Sequence, residues 1–526
     1  MAMCRSITSS ACGPWATASI SSPTPTSPIS SIPLTPSSEC VGQGGLPRLV
    51  LSPREFRDMG TEFNDALSSQ FDFRGLREAF APQAMYQAFL DIEKAVALAQ
   101  GELGIIPAAS ADVIASHCHH DHLDPARLDA DYRTTRHPLM PLINELVRLC
   151  GPVHGGYVHW GITTQNVIQT GLLLLAHRAQ GTLDGLLRDI LSHLGRLARA
   201  HAATPMAGRT HYRHAVPITF GFKAAVWIEE LLQAADRLAE ARQRCFTVMA
   251  GGAVGCYSAL GAIGPEFQSR VAARLGMGEM AVPSRAIRTH ICEYVNALSL
   301  LASVCHRIAE EVYQTSSEEY GELSEKRLEG SIGSSTMPQK INPVHCYGII
   351  ANSNRLYSLA GMLMASAHRP YESDGSTNQL FEDGLVDVIA AISDVLVRTE
   401  ALTRDLDLDT LRMRENLELS HGAIFGEYAM MRLGETLGKH KGHELVHEAA
   451  VAAATGKGAF LDEVALLPGG AAVSAEIQTK LTQDGANGIC KEYALHYGAL
   501  VEHIGTGPFP TVEQRSIGAY LRSAAQ

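Results

Sequence analysis

No C-x-x-C pair occurs in this chain, and its eleven cysteines (4, 12, 40, 118, 150, 245, 256, 292, 305, 346 and 490) are odd in number and widely spaced. That argues against a disulfide framework and for a reduced, cytoplasmic protein. Charged side chains are scarce too, at 19% of 526 residues, and they sum to −12. A net acidic chain is a poor general ligand for nucleic acid, so no nucleic-acid partner is expected. No apolar run approaches the ~20 residues of a bilayer span, so no membrane partner is expected either. Dinucleotide and phosphate-binding glycine fingerprints are missing, and no cofactor or metal is assigned. Residues 6–38 lack any charged side chain and are dominated by Ser, Thr and Pro. Such a segment buries too little apolar surface to order itself, which predicts a disordered tail over 1–60. It has neither the basic flank nor the continuous apolar stretch of a secretory signal, and a start codon set too far upstream is an alternative.

What the chain has is helical periodicity. Leu183, Leu186, Leu187, Ile190, Leu191, Leu194 and Leu197 recur at i, i+3, i+4, i+7, and Trp227, Ile228, Leu231, Leu232, Ala235 and Leu238 repeat the pattern. Residues 286–318 and 345–366 extend it, while strand-like alternation is scarce. The expectation is an all-α fold: an N-terminal helical domain over 61–160, a central bundle of long helices over 161–405 and a C-terminal helical domain over 406–526. Apolar helices this long rarely hide every face within one bundle, so self-association is expected.

Residues 330–344 read Gly-Ser-Ile-Gly-Ser-Ser-Thr-Met-Pro-Gln-Lys-Ile-Asn-Pro-Val. Two prolines and a Gly/Ser run exclude a helix interior or a paired strand, so this is a loop. It carries two hydroxyls (Ser334, Ser335), one cation (Lys340) and one amide (Asn342). Loop N–H groups and Lys340 suit a carboxylate-derived dianion, and a hydroxyl beside it suits removal of a carbon-bound proton. Composition alone also fits a Ser-rich surface linker.

The string resembles the Gly-Ser-Ser-x-Met-Pro-x-Lys-x-Asn-Pro loop of the fumarase/aspartase superfamily. His159-Trp160-Gly161-Ile162-Thr163-Thr164-Gln165-Asn166 is similar to that family's His-Trp-Gly-Ala-Thr-Ser-Gln-Asp stretch. Gly208-Arg209-Thr210-His211-Tyr212-Arg213-His214-Ala215-Val216-Pro217 resembles its Gly-Arg-Thr-His-x-Gln-His-Ala-x-Pro stretch. The likeness runs from about Ser68 to about Glu463, with the three motifs in the family's order, in the branch of 3-carboxymuconate cycloisomerase and adenylosuccinate lyase.

This resemblance implies anti β-elimination across the central carbons of a succinyl unit, usually releasing fumarate. It also implies a homotetramer whose active sites draw motifs from three protomers. Ser334 would be the base, its ionised form favoured by loop closure and Lys340. Thr163, Thr164 and Gln165 would hold one carboxylate, although Thr163 and Thr164 also suit a helix N-cap. Thr210, Lys340 and Asn342 would hold the other, with Ser335 beside them and Met337 shaping the loop. His211 would protonate the leaving group or touch a carboxylate; His159 follows the same logic, and His137 matches poorly.

Two positions depart from the family pattern. Arg213 stands where Gln is common, and Tyr347 where many members carry the Glu that pairs with the catalytic histidine. Losing that carboxylate weakens His211 as an acid. A weakly basic leaving anion needs no proton, and a guanidinium fork at Arg213 suits two-oxygen nitrite. Nitrosuccinate, giving fumarate and nitrite, is therefore the expected substrate, with 3-carboxy-cis,cis-muconate cycloisomerisation as the alternative. From a different class, His117-Cys118-His119-His120-Asp121-His122 matches the His-x-His-x-Asp-His pattern of zinc hydrolases, preceded by a strand-like Val113-Ile114. A solvated histidine loop is the plainer reading, and a catalytically silent structural relative is a third.

Overall fold

The periodicity seen around Leu183–Leu197 continues in both directions in the computed structural model, which describes residues 71–326, 336–483 and 488–524. The expected tail over 1–60 and both loop hydroxyls, Ser334 and Ser335, lie outside the described residues. All described residues fall within one compact unit, Ser52–Gln526. The fold is all-α.

Four helices come first: α1 (Pro82–Glu102), α2 (Ala108–His117), α3 (Pro125–Thr135) and α4 (Met140–His154). Val113-Ile114, read as strand-like, lies inside α2, with Ile114 fully buried. An Ala-rich start and burial against a helical core override the local β preference of that pair. Then α5 (Thr164–Ala200) runs for 37 residues. Its Leu183, Leu186, Leu187, Ile190, Leu191 and Leu194 are all at most 2% exposed, each worth about 1.5–3 kcal/mol of transfer free energy. Gly171 lets α1 come close, because a Cβ there would sit 2.6 Å from the Phe89 ring.

A hairpin follows, β1 (Pro205–Thr210) with β2 (Arg213–Thr219), leading into α6 (Phe220–Cys245). Short β3 (Thr247–Val248) pairs in parallel with β4 (Gly278–Glu279) around α7 (Gly264–Leu275). The bundle continues with α8 (Thr289–Thr315), β5 (Leu323–Glu325), α9 (Val344–Ser366) and α10 (Gly375–Arg404); β6 (Leu406–Leu408) pairs with β5. Five helices close a ring, α5 on α6, α6 on α8, α8 on α9, α9 on α10 and α10 back on α5. The chain ends in α11 (Thr410–Glu418), α12 (Gly426–Leu437), α13 (Lys439–Ala454), α14 (Phe460–Ala465), α15 (Gly470–Gln483), α16 (Gly488–Val501) and α17 (Ile517–Ala524).

Two apolar clusters result. The larger fills the bundle; the smaller joins Leu417, Phe425, Leu433, Phe460 and Ile477. Strand β1 is the seam between them, since Met206 belongs to the first and its neighbour Ala207 to the second, as alternation along a strand requires. Helix α16 returns to the bundle and lies on α5 and α6, where Tyr497 donates to Glu229 at 3.1 Å. No helix among the described residues is long and apolar enough to cross a membrane. The described cysteines are all free thiols.

Helix α8 measures the separation of the motifs. At its start Arg288 donates to Gln169 of α5 (3.3 Å), and in its last turn Gln314 donates to the Tyr212 hydroxyl at the hairpin tip (3.4 Å). Its 27 residues at 1.5 Å each span ~40 Å. Within one chain, the Thr164 end and the hairpin end are that far apart.

Candidate active site

The Thr164 end is built on buried polar groups. Asn166, 2% exposed, accepts from the Thr163 N–H (3.1 Å) and the Gly252 N–H (3.2 Å), closing half of a capping box and tying the Gly251–Gly255 turn to α5. Thr163 is thus the N-cap residue of α5, and Thr163 and Thr164 are half-buried at its mouth. Gln165 is buried, close to Glu382, whose carboxyl burial pushes up while the Gln165 amide and Arg288 oppose the shift. Ahead of the helix His159 sits at φ 60° with its Nδ1 2.6 Å from Glu93, a carboxylate only 1% exposed. Burial works to lower the imidazole's pKa, but the hydrogen bond and charge of Glu93 outweigh it and hold it above its usual value. Gln100 fixes the next residue by donating to the Trp160 carbonyl (2.6 Å). His137 is elsewhere, its Nδ1 accepting from Leu139 and Met140 N–H at the start of α4.

The hairpin end presents its groups to the outside. His211 and Tyr212, at φ 51° and 59°, form the two-residue turn between Thr210 and its cross-strand partner Arg213, the positive-φ pair of a type I′ turn. Thr210, His211, Tyr212 and Arg213 are all exposed. Arg213 has no ion-pair partner among the described residues. Behind the tip the hairpin is braced: Arg209 makes a two-pronged pair with Glu322 (2.8 and 2.6 Å), and Asn416 of α11 donates to the same carboxylate (2.9 Å). Gly208 sits where the β-register slips, and a Cβ there would lie 2.8 Å from the Val216 carbonyl oxygen. His214 is half-buried, its pKa lowered by burial and then by the charge of Arg209.

The segment after 335 belongs to the same end. Met337 and Lys340 are exposed, and the Lys340 N–H donates to the Met337 carbonyl (3.0 Å) in a tight turn; Asn342 is half-buried. Glu325, at the end of β5, accepts from the His345 N–H (3.0 Å) and the Cys346 N–H (2.6 Å) in the first turn of α9. One buried carboxylate therefore clamps together the two borders of the 326–343 segment. Tyr347 is 39% exposed on the next turn.

The structure therefore brings Thr163, Thr164 and Gln165 together at one end, and Thr210, His211 and Arg213 together at the other. Sequence reasoning missed Glu93, Glu322 and Glu325, although Glu93 gave a signal: it falls among Phe89, Leu90, Val96 and Ala97 on the buried stripe of α1. A carboxylate on an apolar stripe needs a partner.

The histidine cluster is superficial. His119, His120 and Asp121 bring ligand atoms within 4.8 Å of one another in a single 3-10 turn, with His119 and Asp121 exposed. The His120 Nδ1 lies 3.1 Å from Gln87 Oε1. The surrounding helices are not the β-sandwich of the zinc hydrolases whose pattern it matches.

A family model described as a lyase matches residues 58–356, more than half of the chain. The N-acetyl-S-(2-succino)cysteine lyase of Dickeya dadantii is 33% identical over 74% of this chain and 85% of its own. Trans-aconitate decarboxylase 1 of Mycosarcoma maydis is 31% identical over 73% of this chain and 78% of its own. The crystal structure of 3-carboxy-cis,cis-muconate lactonizing enzyme from Pseudomonas putida superposes with a TM-score of 0.74 at 25% identity, covering 84% of this chain and all of that one. With these matches added to three motifs on an all-α bundle, the chain belongs to the fumarase/aspartase superfamily of lyases.

Proposed function

We propose that this protein carries out anti β-elimination on a 2-substituted succinate, releasing fumarate, at a site assembled between copies of the chain. The observation that carries the shared site is the ~40 Å that α8 sets between the Thr164 end and the hairpin end. No four-carbon substrate reaches both within one chain, so a neighbouring copy has to bring its hairpin end to the Thr164 end, in a homotetramer as the family resemblance implies. Thr163, Thr164 and Gln165 then hold one carboxylate, and Thr210, Lys340 and Asn342 the other. Ser334 takes the carbon-bound proton. The C–H electron pair becomes the new double bond as the leaving group departs with its own pair, and the aci-carboxylate formed on the way is held by donors already in place.

The leaving group is one that is stable as an anion. Glu322 and Glu325, the carboxylates flanking the loop and the hairpin, are both engaged, on Arg209 and on the α9 backbone. Position 347 offers a tyrosine in place of a carboxylate. Among the described residues no carboxylate lies within ion-pair distance of His211, and Arg213 is available for an oxyanion. Nitrite from nitrosuccinate fits these conditions, and so does the thiolate of a succinylated cysteine, the substrate class in the name of one relative. Incubation with nitrosuccinate and with N-acetyl-S-(2-succino)cysteine should yield fumarate from at least one. Fumarate from neither, with lactone formed from 3-carboxy-cis,cis-muconate, would favour the cycloisomerase reading that the superposed lactonizing enzyme supports.

A further inference from the structure

The link between α2 and α3 takes no part in the elimination, yet its side chains form a set. In the 3-10 turn His120–His122, Asp121 stands between two imidazoles: its Oδ1 is 3.1 Å from His120 Nε2 and its Oδ2 3.4 Å from His119 Nδ1. The His119 and His120 rings stack with centroids 4.9 Å apart, and the His122 ring lies 5.8 Å from that of His119. Two ligand atoms on a tetrahedral ion with bonds of ~2.1 Å stand ~3.4 Å apart. Both N···O separations are therefore close to those of a shared ion, and the ligand atoms of all three residues lie within 4.8 Å of one another.

A second observation is where the imidazole protons sit. Gln87 of α1 donates its amide to Asp91 (2.8 Å), a carboxylate that Arg178 holds in turn (2.7 Å). That fixes the orientation of the amide and leaves Oε1 to accept from the His120 N–H (3.0 Å) and from His120 Nδ1 (3.1 Å). Nδ1 is thus the protonated nitrogen of His120, and in the neutral ring Nε2 turns a lone pair toward Asp121. His122 Nδ1 lies 3.3 Å from the His117 carbonyl, which only accepts, so Nε2 of that ring carries a lone pair as well. His119 Nδ1 takes the Asp121 N–H at 3.3 Å, a long contact that a bound ion replaces. Imidazole Nδ1–H groups bonded to an oxygen that is itself held are what orients metal-ligating histidines. Lone pairs facing a carboxylate repel it unless a cation lies among them, and one divalent ion serves them all.

We propose that His119, His120 and Asp121 bind a divalent transition-metal ion of the zinc class, with His122 or water in the fourth position. Two imidazoles and one carboxylate suit zinc, cobalt, nickel or copper, and not magnesium or calcium, which take oxygen ligands. The His119 and Asp121 side chains are 52% and 72% exposed, so an ion enters from solvent without opening the fold. Its role is structural: through Gln87 it ties the α2–α3 link to α1. The site lies outside the elimination machinery, and its failure leaves the lyase reading untouched.

Calorimetric titration of the metal-free, full-length protein with zinc should show one ion per chain, with a dissociation constant no weaker than micromolar, and magnesium should not compete. Zinc should also raise the melting temperature, as any ligand of the folded state does. D121N and H120A should each weaken zinc by more than about tenfold and remove the thermal shift. Q87L, which takes away only the outer hydrogen bond, should weaken it by about tenfold. Asp121 is a surface side chain, so D121N keeps the fold and lost binding there reports lost ligation. No stoichiometric zinc, displacement of zinc by magnesium, or an affinity unchanged in both D121N and H120A overturns the proposal. An unchanged affinity would place the ion elsewhere, as at the exposed His443 and His447 of α13, whose ring centroids are 6.3 Å apart.

Discussion

The two ends of the helical ring are built to different rules. At the Thr164 end the polar groups are buried and braced: Asn166 accepts from the N-cap N–H of α5, Glu93 holds His159, and the charges of Arg288 and Glu382 act on each other. At the hairpin end the bracing lies one layer back, in Arg209–Glu322 and Glu325, while Thr210, His211, Arg213 and Lys340 project outward. Preorganised polar groups lower the cost of ordering an anionic ligand, and in the proposed reaction the hairpin and loop groups come to them on exposed elements.

Substitutions at the two ends should therefore fail in different ways. The largest effect on turnover is expected from S334A, which should abolish fumarate release while dicarboxylate titration still shows binding; near-normal turnover would remove Ser334 as the base. The largest effect on stability is expected from E322A, which strands Arg209 inside the fold and should cost about 3–5 kcal/mol in urea unfolding. A loss below 1 kcal/mol would show that the hairpin is not held by that pair.

A pH-dependent contrast comes next. The raised pKa of His159 means that its pairing with Glu93 stabilises the protein fully below the ordinary imidazole value of about 6.5, and that this contribution fades as pH climbs through the raised value. E93Q should flatten that part of a melting-temperature profile, and a curve merely displaced in parallel would contradict the assignment. Smaller still, N166A should cost ~1 kcal/mol, the usual worth of a helix cap. R213Q, at an exposed tip, should change stability by less than about 0.5 kcal/mol while slowing nitrite release; equal effects on both would place Arg213 in the scaffold.

The long helices were legible because burial forces a leucine every third or fourth position, and Leu183–Leu194 shows it directly. The hairpin was not. Arg209-Thr210-His211-Tyr212-Arg213-His214 has no apolar alternation, and its positive-φ turn uses His and Tyr in place of the Gly or Asn that would announce it. The motif residues were legible by type, yet their division between opposite ends became visible only once a continuous 37-residue α5 was placed between Thr163 and the hairpin. Arg288, 1% exposed and within reach of the Glu382 charge, escaped notice because an isolated Arg looks the same in sequence whether a carboxylate folds near it or not.

The claim that the two ends of different copies make one active site has a direct test. S334A and the double variant T163V/T164V should each be inactive on a substituted succinate that the unaltered protein converts. Subunits exchanged between the two should regain fumarate production, because some sites then combine an intact Thr164 end with an intact loop. A hybrid that stays inactive after verified subunit exchange, or a monomer that is fully active, would contradict the account.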